Sequence, residues 1–307
     1  MIVYEPNKNW LRDIGHLTKS WTMQKIGRAV MVVGLICLAV CAFIIEMDYM
    51  DRLVMDASVF SFLGIVLSIL LVFRTNTAYD RWWEGRKQWG ALVNNCRNMA
   101  VYGHGMLPAG DLESRKQLAV YISNFCIAFK EHLRQGTKLD ELIHISPEQR
   151  EEYESKDHIP NHISLQIFQF FQSRYKDGIL DEGDIINVKP QHQSLLDILG
   201  ACERIKKTPI PFSYNVFLKL FIGAYALMLP FGLVGTFGYF AVPLVMIIFF
   251  AMIGVELMAE EIEDPFGLDC NDLPTGTIAH TIKNNVFEIL TKKHPIKHEQ
   301  ATYEKIF

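Results

Sequence analysis

From Leu220 to Val255 the chain runs 36 residues without a charged side chain. A helix needs about 20 residues to cross a bilayer core, so this run is too long for one span. Pro230, Gly232, Gly235 and Gly238 fall in its middle and predict a tight hairpin between two spans. Two shorter runs, Ala29–Ile45 and Ala57–Phe73, are each 17 residues without a charge. Apolar residues cover every face of these runs, as in a membrane span rather than the one-sided stripe of a soluble surface helix. Charged residues make up 21% of the whole chain, an ordinary fraction for a soluble protein. The charges are therefore segregated into a long polar middle. The expected fold is an all-α membrane protein with four transmembrane helices and a cytoplasmic helical domain.

Five regions follow from this segregation: an N-terminal cytoplasmic segment 1–28, the first two spans 29–90, a cytoplasmic helical domain 91–212, the last two spans 213–258, and an acidic turn with a C-terminal segment 259–307. In the middle, Ser114–Arg134, Ser164–Tyr175 and Ser194–Lys207 read as amphipathic helices, and Thr277–Leu290 as another near the end. Residues 135–162, with Pro147 and Pro160, read as loop plus a short helix. Basic residues cluster before the first span (Lys8, Arg12, Lys19, Lys25, Arg28), after the second (Arg74, Arg81, Arg86, Lys87) and before the third (Arg204, Lys206, Lys207). The positive-inside rule then places both termini and the middle domain in the cytoplasm of a multi-pass protein of the inner (plasma) membrane.

Ala57–Gly90 is expected to be one helix that leaves the bilayer and continues into water. Ile65, Ile69 and Phe73 recur at every fourth residue and make a gently drifting stripe, flanked by Ser58, Ser61, Gly64 and Ser68. Such a stripe fits a lipid-facing surface. It equally fits a hydrophobic constriction, in which several copies around an axis gate ions by dewetting. After the last span come Glu256, Glu260, Glu261, Glu263, Asp264, Asp269 and Asp272. This cluster fits either a hard cation held by oxygen ligands, above all Ca²⁺, or carboxylates paired with Lys and Arg.

Several chemistries lack their residues. No P-loop, nucleophile elbow or H-E-x-x-H motif occurs. A net charge of −4 gives no reason to expect nucleic acid. The six cysteines are scattered without a C-x-x-C pair, so neither a zinc ribbon nor a disulfide framework is indicated. His158 and His162 are four apart, but Pro160 between them argues against a helical metal pair. No ionisable residue falls mid-span, whereas pumps and proton-coupled transporters usually carry one. A passive pathway, and no enzyme, is the expectation.

Three motifs in order carry a family resemblance: Arg81-Trp82-Trp83 after the striped span, Cys202-Glu203-Arg204-Ile205 followed by Thr208-Pro209-Ile210-Pro211-Phe212, and Glu263-Asp264-Pro265-Phe266-Gly267 with Asp269 and Asp272. Together they resemble the bacterial branch of the bestrophin family over about residues 1 to 290. The resemblance implies a homopentamer around one axial pore, a barrel-like assembly in the lipid bilayer. It implies a neck lined by Ile65, Ile69 and Phe73, and a second, cytoplasmic aperture near Ile185 or Ile186. It brings Ca²⁺ as the one cofactor, at Asp269 and Asp272, where Leu268-Asp269-Cys270-Asn271-Asp272-Leu273 replaces the unbroken acidic run of animal members. The permeating species would be monovalent ions, chloride and other anions first. A cation-permeable channel of the same fold is the alternative, as is a membrane enzyme or signalling scaffold with a carboxylate metal site.

Overall fold

The computed structural model describes residues 21–269 and 271–291. Most of the expected N-terminal segment, with Lys8, Arg12 and Lys19, and the end of the C-terminal segment lie outside the described residues. Among the described residues ten helices follow one another: α1 (Trp21–Glu46), the single turn α2 (Met50–Leu53), α3 (Ala57–Met106), α4 (Leu112–His132), α5 (Pro147–Glu154), α6 (Ile159–Lys176), α7 (Glu182–Lys207), α8 (Phe212–Phe237), α9 (Ala241–Glu263) and α10 (Thr275–Thr291). Short 3₁₀ turns lie at Leu139–Glu141 and Gly238–Phe240. No strand occurs among the described residues. The all-helical expectation holds.

Two compact units form. Among the described residues, one takes 21–82 and 209–263, the other 83–208, 264–269 and 271–291. Among the described residues three helical runs are long and apolar enough to cross a membrane: Thr22–Glu46, Ala57–Met106 and Phe212–Glu263. All three contribute to the first unit, and its 3₁₀ turn breaks the third run into α8 and α9. The turn lies at the last of the four marked positions. Pro230 and Gly232 are inside α8, and Gly238 alone reverses the chain, with φ +54°. That backbone conformation is open to glycine and strained for other residues. In this unit α1 packs against α9 and α8, and α8 against α9. The core joins Cys37, Cys41 and Ile44 of α1, Phe60, Leu67 and Leu71 of α3, Ile222 and Leu229 of α8, and Val245 and Phe249 of α9.

In the second unit α4 is the central helix. Asp111 caps it by accepting the Ser114 N–H at 3.0 Å. It packs against α6 and α10, and α6 against α7. Buried Trp89 stacks on Phe129 with ring centroids 5.1 Å apart. The expected loop before α6 contains the 3₁₀ turn and α5, whose start is fixed by a capping box between Ser146 and Gln149. α7 begins at Glu182 rather than near Ser194, because Asp181 and Asp184 form a second capping box and Pro190 is accommodated inside the helix.

Candidate functional site

The first 17 residues of α3 carry no charge, and the hydroxyls of Ser61 and Ser68 are satisfied within the helix. Ser61 donates to the Ala57 carbonyl and Ser68 to that of Gly64, at 3.1 and 2.8 Å. Neither of these two hydroxyls therefore places an unsatisfied donor in an apolar surrounding. Phe60, Leu67, Leu71, Arg74 and Ala78 form the buried face of α3. Residues two apart on a helix point about 200° away from each other. Leu67 and Leu71 thus turn Ile65, Ile69 and Phe73 outward, where they are 59%, 52% and 62% exposed. Two tyrosines of α8 fix this orientation: Tyr225 donates to the Phe60 carbonyl and Tyr214 to that of Leu70, both at 3.1 Å. The same side of α3 carries exposed Phe62 and Val72, as expected of a surface facing lipid, a lumen or a neighbouring subunit.

Directly after Phe73, Arg74 turns inward and is completely buried. Its Nη2 lies 2.7 Å from Glu263 Oε2, and its Nε 3.6 Å from Glu256 Oε2. Glu263 Oε1 accepts the Ile210 N–H at 2.7 Å, and the Glu263 carbonyl accepts Arg81 Nε–H at 3.0 Å. Glu263 thereby ties α3 to the end of α9 and to the extended Pro209–Pro211 segment, whose prolines leave its backbone extended and free to present the Ile210 N–H. Glu256, also buried, makes no hydrogen bond among the described residues, and Arg74 supplies its opposite charge. Arg74 therefore faces a neighbouring helix rather than the outward stripe. Beyond Phe73 the exposed positions nearest that stripe are Asn76, Thr77 and Asp80, so the first charge along it is acidic.

The remaining carboxylates of the acidic cluster have separate partners. Glu260 pairs with Lys219 at 2.8 Å, Glu261 accepts from Thr22 at 3.3 Å, and Asp264 pairs with Lys206. At the expected Ca²⁺ turn, buried Asp272 accepts the Asp269 N–H at 2.6 Å, while the Asp269 side chain is exposed. A Cβ at Gly267 would come within 2.6 Å of the Asp272 carboxylate, so glycine is needed for this closure. The Leu273 N–H takes the Pro265 carbonyl at 2.8 Å, and Arg134 Nε–H takes that of Phe266 at 3.2 Å. This turn does not suit Ca²⁺ as built. One carboxylate is committed to a backbone N–H, two carbonyls are taken, and a guanidinium stands beside the second. Ile185, half-buried, and Ile186, 61% exposed, lie in the first turns of α7.

A histidine pair forms that no sequence spacing reveals. His132 ends α4, His158 caps α6, and both Nε2 atoms approach Glu203 Oε1 of α7, at 2.6 and 2.8 Å. The rings are tilted against each other, centroids 4.3 Å apart. Burial disfavours the charged carboxylate of Glu203, but hydrogen bonds from His158, His132 and Lys207 outweigh it and hold the group at about 2. Burial lowers His132 below its usual range. His162 goes elsewhere, 3.0 Å from Glu152. Cys202-Glu203-Arg204 stood out as a motif, but its histidine partners lie 71 and 45 residues away in sequence.

The model of the bacterial and fungal bestrophin proteins matches residues 1–288. A voltage-dependent anion channel-forming protein of Nostoc sp. is 37% identical over 232 residues, covering 74% of this chain and 75% of its own. A protein of the same description in Escherichia coli K12, YneE, is 29% identical over 308 residues, covering 98% and 100%. The crystal structure of a bacterial bestrophin homologue from Klebsiella pneumoniae superposes with a TM-score of 0.81 at 27% identity, covering 87% of this chain and 98% of its own.

Proposed function

This chain belongs to the bacterial and fungal bestrophin family, and from that membership we propose that it is a passive ion channel of the inner membrane. In this reading α1, the first part of α3, α8 and α9 are four spans, both termini are cytoplasmic, and five copies surround one axis. Ile65, Ile69 and Phe73 line the neck, and Ile185 or Ile186 the cytoplasmic aperture. The observation that carries the reading is the fixed azimuth of α3. Three large apolar side chains are held outward on a helix whose charged Arg74 is turned inward. Rings of such side chains admit ions only when wetted. No residue is assigned a catalytic role.

Anions are the first expectation for the permeating ion, in line with the description of the Nostoc and Escherichia coli relatives. One observation favours cations as a second reading. Arg74 is buried against Glu263 and cannot serve as an anion-attracting ring, while Asp80 is exposed on the continuation of the stripe. Purified protein in planar bilayers under a KCl gradient tests both readings. A reversal potential near that of chloride supports the anion channel, and one near that of potassium supports the cation channel. The triple variant Ile65→Ala, Ile69→Ala, Phe73→Ala should conduct more than the unmodified chain. Silence from both proteins would refute the channel.

A further inference from the structure

We propose that His132, His158 and Glu203 form a binding site for a divalent cation of the zinc class, separate from ion conduction. The ligating atoms, one from each residue, all lie within 4.8 Å of one another, and no other such group of three occurs among the described residues. They come from the end of α4, the start of α6 and the last turns of α7, so a bound ion would cross-link three helices of one unit. Two imidazole nitrogens and one carboxylate are the donor set of borderline metals such as Zn²⁺ or Co²⁺, whereas Ca²⁺ and Mg²⁺ prefer all-oxygen sites. A fourth position would be left for water.

Geometry sets what binding requires. At Zn–N and Zn–O distances of about 2.0–2.1 Å, donors of a tetrahedral site stand roughly 3.3 Å apart. The Nε2–Oε1 distances of 2.6 and 2.8 Å are shorter, so the ion must open the trio by about half an ångström. Each ring must also carry its proton on Nδ1. For His158 this gives up the bond from the Asn161 N–H, which at 3.3 Å is the longest of the four side-chain N-cap contacts at α4, α5, α6 and α7. Lys207 Nζ, 3.4 Å from Glu203 Oε2, competes for the carboxylate, but its side chain is 68% exposed and free to swing away.

Titration of untagged, full-length protein in detergent with Co²⁺ and then Zn²⁺ tests the site. One equivalent per chain should give the intense visible bands of tetrahedral Co²⁺, and Zn²⁺ should abolish them. His158→Ala and Glu203→Gln should each weaken binding by at least the ~10–100-fold that even outer-shell partners carry. Lys207→Ala should tighten it, a gain that a merely structural trio would not show. Helical circular dichroism and gel-filtration position establish that each variant is folded. If the alanine variant does not fold, Glu203→Gln and Lys207→Ala decide. Octahedral Co²⁺ only, or equal affinity in the unmodified chain and in folded His158→Ala or Glu203→Gln, would overturn the proposal and assign any binding to other histidines.

Discussion

Arg74 sits one position after Phe73, the last residue of the exposed stripe, and contributes its charge to the packing rather than to that stripe. With both its side chain and that of Glu256 fully buried, the ion cluster resembles other buried pairs: weak evidence for net stability, but costly to break. Arg74→Ala should destabilise the protein by about 3–5 kcal/mol, measured as a drop in the unfolding midpoint of the solubilised chain. Arg74→Lys should recover only part, because an ammonium lacks the planar fork that reaches both Glu263 and Glu256. The positive-inside rule explains why an arginine belongs near this end of the span. Its burial could not be read from that rule, because a partner 182 or 189 residues away is invisible to local pattern.

Among elements, the helices with strong local signals were the legible ones. The uncharged runs, the stripe on α3 and the amphipathic α4, α6 and α10 follow directly from composition and period. The start of α7 did not, because Pro190 reads as a helix breaker, whereas the capping box at Asp181 and Asp184 begins the helix at Glu182, more than three turns before Ser194. At the α8–α9 turn the same thing happens: of the four residues that mark it, Pro230, Gly232 and Gly235 look like breakers yet are absorbed into a helix held by its neighbours, and Gly238 makes the turn. Caps also carry measurable energy. Asp111→Ala should cost about 1 kcal/mol at neutral pH. The Ser114 hydroxyl and N–H hold the Asp111 carboxyl below its ordinary value. Its contribution is therefore complete above the unfolded-state pKa and lost as pH falls through the lower folded-state value. The difference in stability between Asp111→Ala and the unmodified chain should shrink below about pH 4.

For the whole molecule, charge segregation revealed a membrane protein and three ordered motifs revealed its family. The sequence also offered an acidic cluster as a metal candidate, and two histidines four apart whose intervening Pro160 argued against a metal pair. Folding redistributed both. Glu256 and Glu263 share Arg74, Glu260 and Asp264 pair with lysines, Glu261 accepts from Thr22 and Asp272 closes its own turn, while His158 approaches His132 and Glu203 rather than His162. Ion sign belongs to this scale as well, because it depends on the sum of charges along an assembled pathway. A ring charge worth about 1 kcal/mol at the ion alters a permeability ratio about fivefold. In the proposed channel, Asp80→Asn should raise the chloride-to-potassium ratio by about that factor, seen as a reversal potential displaced toward chloride.

The hydroxyls of Tyr214 and Tyr225 grip α3 at Leu70 and Phe60, ten residues and about 15 Å apart along its axis. Two pins on one rod remove its freedom to spin while leaving it free to lean. Advancing α3 by a single residue's worth of roll, about 100°, would break both and carry Arg74 away from its carboxylates. An aperture built from this rod would therefore widen by tilt or by side-chain rotation, and the lineage can retune it by exchanging side chains in place without re-engineering how the rod is seated.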